Sequence, residues 1–140
     1  MDVPRRVLIL VVELDPYIRA LQQSLLGDHY ELLFVGDGEA ALDAARRHRP
    51  KILIADILVP KIDGLRVCRE LKRDPRTRDI RILIFSELYA ELRAREAGAD
   101  AFIRKPIEER AFLAQVRALL DEEASSSSDG DTRRGASWSE

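Results

Sequence analysis

Short apolar segments alternate with amphipathic segments along the whole first part of the chain. The apolar segments are nearly continuous runs of aliphatic residues, which is typical of strands buried on both faces of a parallel sheet. The predicted strands are Val7–Glu13, Glu31–Val35, Lys51–Asp56, Ile80–Ser86 and Ala101–Arg104. Because a helical pattern follows each strand, we expect an α/β fold with a doubly wound, five-stranded parallel sheet. At this chain length the flavodoxin-like strand order 2-1-3-4-5 is the natural choice.

Polar residues mark where the helices begin and end. Three helices are predicted to start at an acid that caps the first turn, namely Asp15 before Pro16, Asp37 before Gly38 and Asp63 before Gly64. A fourth helix is predicted from about Leu88 to Ala97, with Gly98 as its C-terminal cap. The fifth begins after Pro106 and buries apolar residues at helical spacing.

Periodicity ends near residue 123, where a run rich in Ser, Gly and charge begins. We therefore predict one domain over residues 1–123 and a disordered tail over residues 124–140. The net charge of −2 indicates neither a nucleic-acid nor a membrane partner. The single cysteine, Cys68, excludes an internal disulfide, and the charged N-terminus does not look like a signal peptide, so a cytoplasmic protein is expected.

Chemically active side chains fall at the carboxyl ends of the predicted strands. Glu13 ends the first strand and Asp56 the third, and these two strands are neighbours in the expected order. Ser86 and Lys105 end the fourth and fifth strands. Carboxylates with a lysine suit phosphoryl transfer onto an aspartate, with Mg²⁺ held by the acids.

The residues around these positions resemble the receiver domains of bacterial two-component response regulators, the CheY-like family. The similarity covers about residues 5–121 and is carried by VLILVVELDP, DGEAAL, LIADILVPKIDGLRVCREL, ILIFS and AGADAFIRKP. It implies a cis bond between Lys105 and Pro106. It also implies the following roles: Asp56 as phosphoacceptor, Ser86 as switch hydroxyl, Phe102 as aromatic switch, Lys105 as phosphate-binding lysine, and Glu13, Asp56 and the backbone carbonyl of Leu58 as Mg²⁺ ligands.

Three features depart from the family pattern. Leu14 stands where the family has a second acid that touches the metal, so Mg²⁺ affinity is expected to be weakened or lost. Asp15 is a doubtful substitute ligand, because capping the first helix is its better-motivated role. Glu87 places an extra carboxylate beside the switch hydroxyl, and the segment from Ser86 to Lys105 is shorter than usual.

The resemblance leaves two functions open. In the first, a histidine kinase or phosphotransfer protein phosphorylates Asp56, and the domain then binds an unknown output protein, or a second copy of itself, through its fourth helix and fifth strand. In the second, the chain is a pseudo-receiver that binds a protein partner without phosphorylation. Neither function makes the chain a metabolic enzyme. At most, we expect it to hydrolyse its own phosphoryl group, as an autophosphatase. A flavin carrier and a direct DNA-binding protein are disfavoured, because ELDP is acidic and no helix-turn-helix segment remains.

Overall fold

A computed structural model describes residues 6–129, with side chains as far as residue 121. Five strands alternate with five helices. In chain order they are β1 (Leu8–Val12), α1 (Pro16–Leu26), β2 (Glu31–Val35), α2 (Gly38–His48), β3 (Ile52–Ala55), α3 (Gly64–Arg73), β4 (Arg81–Ser86), α4 (Glu91–Glu96), β5 (Ala101–Arg104) and α5 (Glu109–Asp129). The predicted alternation is confirmed, and the strand ends agree to within one residue.

The five strands form one parallel sheet in the order β2-β1-β3-β4-β5, as predicted. Val12 of β1 pairs with Ala55 of β3, so the carboxyl ends of these two strands lie side by side. The backbone N–H of Asp56 donates to the carbonyl of Val12 at 3.1 Å. This register, rather than proximity in sequence, brings residues 13 and 56 to one place.

Apolar layers cover both faces of the sheet. One layer packs α2, α3 and α4 against residues such as Leu10, Leu53 and Ile82. The other packs α1 and α5 against residues such as Ile9 and Ile54. Since successive residues of a strand point to opposite faces, a strand covered on both sides must be apolar throughout. That requirement is the physical reason for the aliphatic runs.

The predicted helix caps are confirmed in α1, α2 and α3. The side chains of Asp15, Asp37 and Asp63 each accept a hydrogen bond from a backbone N–H in the first turn, at 2.8, 2.7 and 2.9 Å. Such a cap stabilises a helix by about 1 kcal/mol. Gly98, the predicted terminator of α4, has φ +99° just after that helix, a conformation that favours glycine.

Helix α4 is shorter than predicted, running from Glu91 to Glu96 instead of from about Leu88. The backbone N–H of Leu88 donates to the hydroxyl oxygen of Ser86 at 3.3 Å, which holds the preceding residues in a turn. Ala90 occupies the N-cap position and its methyl side chain has no oxygen to accept from the first turn. The apolar spacing had extended the predicted helix into this turn.

Helix α5 extends to Asp129 and so passes the domain boundary predicted at residue 123. Six residues assigned to a disordered tail, residues 124–129, are therefore helical. Adding serines to an existing helix costs little, because nucleation has already taken place. The rest of the predicted tail, residues 130–140, lies outside the described residues. Within residues 6–129, none of the helices is both long and apolar enough to cross a membrane.

Candidate functional site

Asp56 is positioned by the junction of β3 and α3. It follows directly after β3, and its Oδ1 accepts from the backbone N–H of Leu58 at 3.3 Å. The N-terminus of α3 lies against this junction, where the N–H of Gly64 donates to the carbonyl of Ile57 at 3.0 Å. A Cβ at position 64 would collide with the carbonyl of Asp56, so only glycine permits this approach. The Asp63-Gly64 pair thus has two local functions, capping the helix and admitting it to the strand end.

Glu13 lies beside Asp56 at the end of β1. Its backbone N–H continues the β1–β2 ladder by donating to the carbonyl of Val35 at 3.1 Å. Its residue surface is 2% exposed, which is unusual for a glutamate. Its Oε2 accepts from the backbone N–H of Asp15 at 3.2 Å. A carboxylate buried to this degree requires a positively charged partner.

Lys105 supplies that charge and joins the two acids. Its Nζ lies 3.0 Å from Oε1 and 3.1 Å from Oε2 of Glu13, and 3.0 Å from Oδ2 of Asp56. The lysine follows β5, and the peptide bond to Pro106 is cis, as the family resemblance implied. Its side chain is 9% exposed, compared with 12% for Asp56. Asp56 is therefore the more accessible member of a nearly buried trio.

Burial and ion pairing act against each other in this cluster. Burial raises the pKa of Glu13 above its usual value of 4.5, although the hydrogen bonds from Lys105 and Asp15 moderate the rise. Burial also lowers the pKa of Lys105, but the hydrogen bonds to Asp56 and Glu13 outweigh burial. The pKa of Lys105 is therefore raised above 10.5, and its ammonium stays charged at neutral pH.

Ser86 and Phe102 lie in more enclosed positions. Both are 0% exposed. The carbonyl of Ser86 accepts from the backbone N–H of Lys105 at 2.9 Å, which ties the end of β4 to the end of β5. Phe102 packs in the layer formed by α2, α3 and α4. The structure thus places both predicted switch residues next to the site strands, while their switching roles stay predictions.

Arg19 is a site residue that the sequence analysis missed. Its Nε donates to the carbonyl of Glu13 at 2.6 Å, and its guanidinium carbon lies 5.5 Å from the centre of the Phe34 ring. It thereby fixes the end of β1 from the first turn of α1. A lone arginine after a helix cap gives no signal of this role in the sequence.

The donor set does not fit Mg²⁺ well. This ion prefers about six oxygen ligands in an octahedral arrangement. Here Glu13 and Asp56 are both bonded to Lys105, and Leu14 contributes no side-chain oxygen. The carboxylate of Asp15 accepts from the N–H of Tyr17 at 2.8 Å, which confirms its capping role. Within residues 6–129, no three His, Cys, Asp or Glu side chains are grouped so that they could hold a metal ion.

The family description that matches this chain is "Response regulator receiver domain", over residues 9–117. The chain belongs to this family. The match begins one residue into β1 and includes the other four strands in full, together with the site at their carboxyl ends. The chain is therefore a receiver domain of the two-component response regulator type.

Curated relatives support this membership. The receiver is 35% identical over 115 residues to "Response regulator PleD" of Caulobacter vibrioides, covering 80% of this chain and 25% of the relative. It is 36% identical to "Response regulator MprA" of Mycobacterium leprae, covering 80% of this chain and 50% of the relative. The chain thus spans between a quarter and a half of the length of these two relatives.

Solved structures show the same fold. A putative response regulator from Chloroflexus aurantiacus has a TM-score of 0.79 at 29% identity, covering 84% of this chain and 99% of its own. The signal receiver domain of a histidine kinase from Syntrophus aciditrophicus has a TM-score of 0.79 at 30% identity, covering 90% of this chain and 97% of its own. The predicted fold class and family are therefore confirmed.

Proposed function

We propose that this receiver accepts a phosphoryl group on Asp56 from the phosphohistidine of a histidine kinase or phosphotransfer protein. The observation that supports this function best is the contact between the Lys105 ammonium and Oδ2 of Asp56, at 3.0 Å. Asp56 is the most accessible acid of the trio and lies at the carboxyl edge of the sheet, where open α/β folds bind their ligands.

In the proposed step a carboxylate oxygen of Asp56 attacks the phosphorus of phosphohistidine. A P–O bond forms and the P–N bond breaks; the imidazole nitrogen leaves with the electron pair of that bond and takes up a proton from water. Lys105 stabilises the negative charge of the transferring group by a preorganised positive charge in a nearly dry site. Glu13 fixes Lys105 in place through two further contacts.

The signal is proposed to leave the domain through α4 and β5. Tyr89 and Leu92 are exposed by 78% and 66%, which is unusual for large apolar side chains. The guanidinium of Arg104 lies 3.8 Å from the centre of the Tyr89 ring, and one of its N–H groups donates to the carbonyl of Glu87 at 3.3 Å. The turn after Ser86 is thus joined to this face, which supports docking there of an output protein or of a second copy.

The test is intact-mass spectrometry after incubation with acetyl phosphate, a small-molecule phosphoryl donor. We expect one phosphoryl adduct on the wild-type chain and none on Asp56→Asn, because the amide is a poor nucleophile. Asp63→Asn is the matched control, since Asp63 is a helix cap and its loss should leave the adduct in place. An adduct that persists in Asp56→Asn would contradict the proposal. So would the absence of an adduct on the wild type when another receiver, treated in parallel as a positive control, is phosphorylated.

A second candidate function is a protein-interaction module that works without phosphorylation. Leu14 favours it, because this half-exposed leucine replaces an acid that the family uses at the site. In that case Asp56→Asn would bind the output partner as tightly as the wild type, and acetyl phosphate would change nothing. A pull-down of the same partner by both variants, compared with Leu92→Ala, would distinguish the two functions.

A further inference from the structure

We propose that the Lys105 ammonium is the resident cation of this site and that the unphosphorylated receiver does not bind Mg²⁺ at millimolar concentration. This proposal depends on the proposed function only for the role of Asp56. Lys105 would be the positive charge beside which Asp56 reacts. It concerns the resting domain, so it can be tested without any phosphoryl donor.

The first support is that each carboxylate oxygen of Glu13 and Asp56 already has a hydrogen-bond donor or the lysine ammonium beside it. Lys105 Nζ serves Oε1 and Oε2 of Glu13, and Oδ2 of Asp56. The remaining oxygen, Oδ1 of Asp56, accepts from the backbone N–H of Leu58 at 3.3 Å. An ammonium group has three N–H donors, and three acceptors lie within range of it. The ammonium therefore has as many carboxylate oxygens within range as it has N–H groups.

The second support is that Lys105 is enclosed where it stands. Its side chain is 9% exposed, and its Nζ lies 5.5 Å from the centre of the Phe85 ring. A divalent ion bound by both Glu13 and Asp56 would lie beside this ammonium and be repelled by it. Moving the ammonium away would leave a charged group without its carboxylates in a poorly solvated region.

The third support is that no third acid is grouped with Glu13 and Asp56 among residues 6–129. Leu14 follows Glu13 directly, is 52% exposed and has no side-chain oxygen to offer a metal ion. Asp15 is one residue further on, but its carboxylate caps α1 through the N–H of Tyr17. Recruiting Asp15 would remove that cap. With two carboxylates and an ammonium, the site lacks both the charge and the oxygens that Mg²⁺ requires.

The experiment is a titration of the ¹⁵N-labelled full chain with MgCl₂, followed by two-dimensional NMR, against NaCl at equal ionic strength. In the wild type we expect the amides of Glu13, Asp56 and Leu58 to shift no more with MgCl₂ than with NaCl. In Leu14→Asp, which adds a third carboxylate at an exposed position, we expect saturable shifts of the same amides at millimolar Mg²⁺. Leu14→Asn, of equal size but uncharged, should behave as the wild type does.

Saturable Mg²⁺ shifts at Glu13 and Asp56 in the wild type would overturn the proposal, and this result does not depend on any variant folding. If Leu14→Asp is folded but its amides do not shift with Mg²⁺, the absence of Mg²⁺ binding is not explained by the leucine at position 14. Both outcomes differ from a failure of the proposed function. That failure would appear as a missing phosphoryl adduct, whereas the titration measures metal binding alone.

Discussion

Two buried clusters of charged side chains lie at opposite ends of the same sheet and differ in how their charges are compensated. At the carboxyl end, two acids share one lysine, and Asp56 remains partly accessible. At the amino end, the carboxylate of Asp100 is 4% exposed and lies 2.9 Å from Lys72 and 3.5 Å from Arg81. It also accepts from the backbone N–H of Ile82 at 2.8 Å.

The difference separates a structural cluster from the cluster that we propose to be reactive. The amino-end cluster is anchored to the backbone, because Lys72 also donates to the carbonyls of Ile80 and Arg78 at 2.8 and 3.2 Å. It joins the end of α3 to the starts of β4 and β5. The carboxyl-end cluster retains an excess of negative charge around a single cation. Accessibility and backbone anchoring, rather than residue type, therefore distinguish the structural cluster from the one proposed to carry chemistry.

The largest expected effect comes from Asp100→Ala. We expect it to lower the free energy of unfolding by about 3 kcal/mol, because it leaves Lys72 without its carboxylate and the Ile82 N–H without its acceptor. Urea unfolding followed by circular dichroism measures this. Asp43→Ala, which removes a surface i,i+4 pair with Arg47, should change the free energy by less than about 0.5 kcal/mol. Equal losses in both variants would mean that the amino-end cluster contributes no more to stability than an exposed ion pair does.

The reactivity of Cys68 in α3 is a probe of the cluster at the amino end of the sheet. Burial raises the pKa of this thiol to about 12, against a smaller opposing effect of Lys72. Its Sγ also lies 3.4 Å from the carbonyl of Ala97. Labelling by a thiol reagent should therefore be slow in the wild type and limited by unfolding.

In Asp100→Ala the labelling of Cys68 should be up to about a hundredfold faster, which is the same 3 kcal/mol expressed as a ratio. The change is measured from the absorbance of the released thiol product. In Asp56→Ala the rate should change little. Rapid labelling of the wild type would show that the amino end opens locally.

Lys105→Met tests the carboxyl end and has a pH dependence. We expect it to cost about 2 kcal/mol at neutral pH, since charge-assisted hydrogen bonds to two carboxylates are lost. The pKa of Lys105 is raised in the folded state by Asp56 and Glu13 against the effect of burial. Its contribution is therefore complete below the usual pKa of 10.5 and is lost as the pH rises through the folded-state value.

The difference in unfolding free energy between wild type and Lys105→Met should accordingly shrink at strongly alkaline pH. Parallel urea titrations at neutral and alkaline pH measure it, and titrating groups that do not interact with Lys105 cancel in the difference. A gap that grows with pH would contradict the ion-paired role of this lysine.

Among the substitutions within the two clusters, Asp56→Ala has the smallest expected effect. Lys105 keeps its two contacts to Glu13, and one negative charge is removed from a cluster with an excess, so stability should change by less than about 1 kcal/mol in either direction. Urea unfolding beside Asp100→Ala makes the comparison. A loss as large as that of Asp100→Ala would mean that Asp56 is chiefly structural.

The sequence predicted the elements well where one physical signal dominates. Aliphatic runs identified all five strands, and Asp15, Asp37 and Asp63 identified three helix starts, because burial and capping leave local traces. It failed for α4 and for the length of α5. In α4 the apolar spacing continues into a turn that a hydrogen bond from Leu88 to Ser86 holds. In α5 an existing helix continues through serines of low apolar content.

By itself the sequence determined the fold class, the strand order and the candidates Glu13, Asp56 and Lys105, since periodicity and strand-end position are local properties. The tertiary structure alone decided their relation. Residues 92 positions apart in the chain, Lys105 and Glu13, meet because parallel pairing aligns the carboxyl ends of the strands. It also decided that the lysine contacts both acids at once. Such contacts depend on distances and directions between side chains, which cannot be read from local patterns in the sequence.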